Sequence, residues 1–293
     1  MSPTIKAAFW MVGAILSFTT MAIAGRQLGG ILDTFEIMLY RSLTGLPIVL
    51  VIATLTGSIA TVGTSKAGAH LVRNVFHFTG QNLWFAAIAL IPLAQVFALE
   101  FTSPIWAMLL TPLILRERLT AMNLLAGAIG FAGILLVTRP SASTLDIGTL
   151  AAAGAAIFFA ITNLLTRKLT RTQSLTEILV YLTATQVVFG LVCAGYDGDI
   201  ALPDLQTGPW LVLIGIAGLC AHLCLTTALT LALATIVMPM DFARLPLIAV
   251  VGWAVYGEAL ELAVLAGAAI IICANLLNLR ASAGNRAGNI AKM

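Results

Sequence analysis

Asn74, His77, Gln81 and Trp84 follow one another at spacings of three, four and three residues. On a helix these spacings stack all four on one face. The set offers amides, an imidazole and an indole N–H, which suits holding a polar solute better than breaking its bonds. His77 titrates near neutrality when unperturbed, so it could also couple binding to a proton. The alternative is that the stripe ties neighbouring helices together. A second set lies between Pro92 and Leu115: Gln95, Thr102 and Trp106 on roughly one helical face, Glu100 on another, and the aromatic Phe97 and Phe101. Arg41, Asp241 and Arg244 place further charge inside apolar sequence, and Thr162 and Asn163 add polar groups. Asp241 and Arg244, three residues apart, can pair on one helix face. Facing acids, bases and amides could bind both ends of an amino acid, with Trp84, Trp106, Phe97 and Phe101 covering its side chain. Other amphipathic metabolites fit the same composition.

The elements that must position these groups are apolar. The 293 residues are 60% hydrophobic and 9% charged, with a net charge of +3, and the mean hydropathy is +1.03. A soluble domain carries about 25% charged residues, so the chain belongs in a bilayer. Ten apolar segments can be drawn, at about 5–25, 34–56, 70–90, 92–115, 120–138, 146–167, 174–195, 209–232, 235–256 and 261–279. Each is near the length that crosses ~30 Å of hydrocarbon as a helix. The predicted fold is all-α, with ten transmembrane helices. The run after Lys6 imitates a cleavable signal peptide, but it is repeated in mid-chain and is read as the first membrane helix. Lysine and arginine place both termini in the cytoplasm: Lys66, Arg73, Arg116, Arg118, Arg167, Lys168 and Arg171 fall on that side, whereas Arg26 and Arg139 fall on the other. On this orientation Arg41 and Glu100 both lie about 11–12 Å below the outer surface, which predicts a buried pair.

An internal repeat organises the chain. Adding 141 to a residue number carries Arg26 onto Arg167, Glu36 onto Glu177, Tyr40 onto Tyr181, Phe18 onto Phe159, Phe101 onto Phe242 and Glu117 onto Glu258, and sets Glu100 against Asp241. Agreement at Glu, Arg and Tyr in one ungapped register marks two homologous halves, residues 1–140 and 141–280, followed by a tail, 281–293, expected to be disordered and cytoplasmic. Five helices per half is an odd number, so the second half enters the bilayer inverted. Inverted repeats with a site between them near mid-membrane are the plan of secondary transporters. The prolines of the fourth and ninth segments, Pro104, Pro112, Pro239 and Pro246, are candidate hinges.

The chain resembles the drug/metabolite transporter superfamily, in particular its ten-helix EamA-type proteins. The resemblance rests on Tyr40-Arg41-Ser42-Leu43, Phe101-Thr102-Ser103-Pro104, Leu115-Arg116-Glu117-Arg118-Leu119, Gly127, Gly133 and Tyr256-Gly257-Glu258, and covers nearly the whole chain. Within the family it looks most like bacterial metabolite exporters, the amino-acid exporter branch among them, although Phe76 and Gly80 around the stripe's histidine depart from members specific for aromatic substrates. The resemblance implies gradient-driven or proton-linked export of small molecules across a bacterial inner membrane by alternating access. Its partners would be a small-molecule substrate and the lipid bilayer, with no nucleic acid. The oligomeric state is not legible.

No enzyme motif appears: no glycine-rich phosphate loop, no HExxH and no ordered nucleophile triad. No cofactor or catalytic residue is predicted. The runner-up reading is a transporter of another amphipathic metabolite or drug on the same fold, and an intramembrane enzyme or a channel ranks below it. Cys220, His222 and Cys224 look like a metal cluster, but on a helix the histidine points away from both cysteines, so no metal site is predicted.

Overall fold

A computed structural model of the chain describes residues 2–116, 119–139, 146–196, 198–232, 237 and 240–290, with side chains described as far as Asn278. The helices are α1 (Pro3–Leu28), α2 (Thr34–Leu55), α3 (Ala67–Leu90), α4 (Leu93–Glu100), α5 (Ser103–Ile114), α6 (Ala121–Thr138), α7 (Ile147–Leu169), α8 (Leu175–Ala194), α9 (Gly208–Leu231), α10 (Arg244–Tyr256) and α11 (Leu262–Ile290). Seven spans among the described residues are long and apolar enough to cross a membrane, one being α4 and α5 together. With α3, α10 and α11 the bundle has ten membrane helices in two inverted repeats of five. α3 falls outside the apolar set because it carries His70, Arg73, Asn74, His77, Gln81 and Asn82, all of which it buries. Large apolar side chains such as Phe9, Leu55, Leu113 and Val192 point outward, the inside-out distribution that a bilayer selects.

The helix starts are written locally. Asp33 caps α2, accepting from Glu36 N while the Glu36 carboxylate accepts from Asp33 N. Ser174, the repeat counterpart of Asp33, caps α8 and accepts from Glu177 N at 3.1 Å. Such caps satisfy backbone donors that the helix leaves free.

Packing follows the repeat. α1 lies on α9 and α3 on α7, and exchange of the halves turns one contact into the other. α2 lies on α8, α4 on α10 and α6 on α11, each pairing a helix with its own counterpart. α6 and α11 meet at glycines: a Cβ at Gly133 would lie 2.9 Å from Gly267 O, and one at Gly267 would lie 2.8 Å from Gly133 O. Small residues let backbones approach this closely in lipid.

The fourth segment, expected as one helix, is two. α4 ends at Glu100, Phe101 and Thr102 turn, and α5 begins with Pro104 in its first turn. Proline has no N–H to continue the ladder, and Ile105 N turns to Thr102 O at 2.9 Å. The freed Phe101 carbonyl accepts from Asn275 Nδ2 of α11 at 2.7 Å. In the second half Phe242 and Ala243 turn and α10 starts at Arg244. Both breaks therefore fall at the same place in the repeat. Pro112 lies inside α5 and Pro246 near the start of α10; Pro239 lies outside the described residues, as do Glu117 and Arg118. α11 continues to Ile290, past residue 281 where the tail is expected to begin. This stretch lacks proline, the strongest helix breaker, although Gly284, Asn285, Gly288 and Asn289 are weak helix formers. Residues 291–293 lie outside the described residues.

Gly133→Leu should force α6 and α11 apart and destabilise the bundle by about 1–3 kcal/mol. Thermal unfolding of the purified protein measures this, and an unchanged midpoint would show that the contact is not close.

Candidate functional site

The two helix breaks meet. The rings of Phe101 and Phe242 stand edge to face with centroids 5.3 Å apart. Glu100 and Asp241, the repeat-equivalent acids just before these aromatics, bind the same cation: Arg244 Nη2 donates to Glu100 Oε1 at 2.9 Å and to Asp241 Oδ2 at 3.0 Å. The guanidinium also lies over Phe18, Phe97 and Phe101, at 4.7, 5.0 and 5.2 Å from the ring centroids. Trp84 Nε1 donates to the other Glu100 oxygen at 2.8 Å. Two acids, one base and a box of aromatic faces thus close the centre of the bundle, and α4 is joined to α10 across the two halves.

The expected Arg41–Glu100 pair is not formed. Arg41 donates to Gln81 Oε1 at 3.0 Å and to Gln186 Oε1 at 3.4 Å, and Gln186 Nε2 donates to Gln81 Oε1 at 2.8 Å. The reason is packing. α2 lies on α8 and α9, and α9 presents Gly215 and Gly218 to it. A Cβ at Gly218 would lie 2.9 Å from Arg41 Nη2, and one at Gly215 would lie 2.7 Å from Thr44 Cβ. The guanidinium fills the space left by glycine while Arg244 takes Glu100. Arg73, also buried, donates to Thr166 Oγ1 and Asn74 Oδ1, both at 2.9 Å, and Asn74 Nδ2 donates to Thr185 Oγ1 at 2.8 Å. Arg41 and Arg73 thus have neutral partners. A buried cation without a carboxylate is costly unless its donors are well used.

Between these arginines runs a series of rings. His77 lies 6.2 Å from Phe159 and 6.5 Å from His222, and His222 lies 5.9 Å from Phe18, as centroid distances. Neither nitrogen of His77 has a hydrogen-bond partner among the described residues, although the side chain is buried. The members are again repeat-related: 18 + 141 = 159 and 81 + 141 = 222 place Phe18 opposite Phe159 and Gln81 opposite His222.

The stripe of Asn74, His77, Gln81 and Trp84 is therefore continuous, facing the ring series in its middle and the shared arginine at one end. Phe97 and Phe101 join that end. Thr102 accepts from Trp106 Nε1 at 3.2 Å, and this pair props the break in the fourth segment. Gln95 stands apart, donating to Thr149 Oγ1 at 3.1 Å between α4 and α7. Thr162 returns its hydroxyl to Phe158 O in its own helix. Asn163 is exposed, because one residue beyond the buried Thr162 the helix has turned about 100°. Arg73, Gln186, His222, Phe18 and Phe159 lie around the stripe without being among the residues expected there, and the 141-residue offset applied to Gln81 leads to His222. Cys224 faces Gly13 of α1, where a Cβ would lie 2.9 Å from its Sγ, while His222 faces Phe18 and His77. Among the described residues no three His, Cys, Asp or Glu side chains are grouped to hold a metal.

One end of the bundle is latched. Arg26 of α1 forms an ion pair with Glu258 just beyond α10 and donates to Ala89 O and Ile91 O at 3.3 and 2.9 Å. The Glu258 carboxylate also accepts from Leu93 N at 2.8 Å. The opposite end has a hollow of about 450 Å³ lined by Leu113, Ile114, Leu115, Arg116, Lys168 and Arg171.

A family model for EamA-like transporters matches residues 5–139 and 146–280. The chain belongs to the EamA-like transporter family. This EamA-like protein is 32% identical to a riboflavin transporter of Vibrio cholerae over 92% of its own length and 91% of the relative. It is 23% identical to an S-adenosylmethionine uptake transporter of Rickettsia bellii, covering 91% of each chain. A solved crystal structure 18% identical to it, covering 92% of this chain and 95% of the other, shares the fold with a TM-score of 0.62.

Arg244→Met in this EamA-like protein should leave two carboxylates facing aromatic rings, at a cost of about 3–5 kcal/mol. Adding Glu100→Gln and Asp241→Asn should restore much of the loss. A triple variant as unstable as the single one would refute the shared cation; thermal unfolding reads both.

Proposed function

We propose that this protein carries riboflavin, or a flat heteroaromatic solute of the same kind, across the inner membrane of a bacterium. The observation that carries this reading is 32% identity over nearly the full chain to a protein named as a riboflavin transporter. The site supports it. Phe18, Phe159, His77 and His222 offer faces and edges to a planar ring system, and Arg41, Arg73, Gln81 and Gln186, now bonded to neutral side chains, would exchange these bonds for ring carbonyls and chain hydroxyls. Amino-acid export, the expectation from sequence, has less support. A zwitterion needs an acid for its ammonium, and Glu100 and Asp241 are already bound by Arg244. The Vibrio and Rickettsia relatives are named for riboflavin and S-adenosylmethionine.

The mechanism proposed is alternating access. The halves 1–140 and 141–280 rock about the centre, flexing at the turns Phe101–Thr102 and Phe242–Ala243, next to Pro104 and Pro246. At the first break Asn275 already serves the Phe101 carbonyl, so the angle changes there with little further loss of hydrogen bonding. With both termini cytoplasmic, the Arg26–Glu258 latch closes the outside and the basic hollow opens toward the cytoplasm.

Proteoliposomes loaded with or bathed in riboflavin test the substrate, with S-adenosylmethionine and a set of amino acids as parallel arms. Riboflavin movement should be saturable, and His77→Ala and Phe159→Ala should each reduce it about tenfold with folded yield unchanged. Transport of an amino acid but not riboflavin would overturn the assignment. For orientation, a cysteine introduced at Ser58 should resist an impermeant thiol reagent applied to intact spheroplasts; labelling from outside would invert the topology.

A further inference from the structure

The ion pair joining the halves has unequal members. Asp241 and Arg244 sit three residues apart and travel together with the second half. Glu100 belongs to the first half and reaches Arg244 only while α4 lies against α10. Two carboxylates share this one guanidinium, and Asp241 Oδ1 has no hydrogen-bond partner among the described residues. When α4 and α10 part, Arg244 remains with Asp241 as a neutral one-to-one pair. Glu100 is then left with the indole N–H of Trp84 and the ring of Phe97, which stands 6.0 Å from Trp84. An ionised carboxylate is poorly tolerated in such a place, and the ordinary outcome is that it takes up a proton.

We propose that Glu100 is the proton-binding site of this transporter, protonated when α4 separates from α10 and deprotonated when Arg244 returns. This deepens the alternating-access reading above and rests on it. The proton comes from the water admitted by the separation, binds a Glu100 oxygen, and leaves when the guanidinium re-forms its bond. His77, the candidate that residue type alone suggests for this role, has no ionic partner to exchange for a proton. Among the described residues the charged groups bonded at Glu100 are Arg244 and, through it, Asp241 on the α10 side, and no ion pair reaches it from α6, α7 or α11, which also pack on α4. α3 presents Trp84 and α1 presents Phe18, beyond which lies His222 of α9.

The test requires no substrate, so it stands even where riboflavin transport fails. Spin labels at Leu90 and Leu260, both exposed near the latched end, report the separation in lipid nanodiscs, with Cys193, Cys220, Cys224 and Cys273 replaced. Lowering the pH from 8 to 5 should move the wild type from a short to a long distance. Glu100→Gln should show the long distance at both pH values. Asp241→Asn leaves Arg244 wholly to Glu100 and should move the transition down by about one pH unit, which keeps the test valid where Glu100→Gln fails to fold. A wild type without a pH-dependent distance, an unshifted transition in Asp241→Asn, or a Glu100→Gln variant that responds like the wild type would overturn the proposal. So would a transition abolished by Glu258→Gln and untouched at Glu100, which would assign the proton to the latch.

Discussion

The structure depends on one guanidinium shared by two acids. Arg244 is the partner that lets Glu100 and Asp241 both remain largely buried among Phe18, Phe97 and Phe101, since charges in a membrane interior persist only in company. The requirement fixes where the fourth and ninth segments break. Each break must bring its acid to the same cation, so the halves meet with Phe101 against Phe242. Pairing across the interface also makes the joint sensitive to relative motion, because a bond between halves is lost when they part and a bond within one half is not.

The centre also departs from that symmetry. Where the first half has His77 the second has Gly218, and the space is filled by Arg41. Gln81 is answered by His222, and Ser103 by Arg244. A perfectly symmetric centre would place equal charges opposite one another and repel. Substituting one member of each pair gives the centre different chemistry at its two ends: arginines on neutral amides along α3, and an acid-rich cluster at the breaks. Phe18 and Phe159 remain equivalent and bracket the series of rings.

Much of this is legible in the sequence. The 141-residue register, the inverted halves, the polar stripe and the Asp241–Arg244 pair all follow from spacing and residue type, because helical periodicity fixes which groups share a face. What spacing cannot give is the choice among partners at similar depth. Arg41 and Glu100 are both deep charges, as their positions along the apolar segments imply, yet each finds another partner, and the reason lies in glycines of α9 that only packing reveals. Asn163 lies a single residue from the buried Thr162, which on a helix is a different face. The split of the fourth segment needs one further fact, that Asn275 of α11 stands ready to donate to the freed carbonyl.

A structure determined by electron cryomicroscopy with riboflavin present would test most directly the claim that the substrate sits where the repeats meet. The account predicts a planar density between Phe18 and Phe159, edged by His77 and His222, with carbonyl oxygens toward Arg41 and Gln81. Density lodged instead in the hollow beside Lys168 and Arg171, with the central rings still packed on one another, would contradict it.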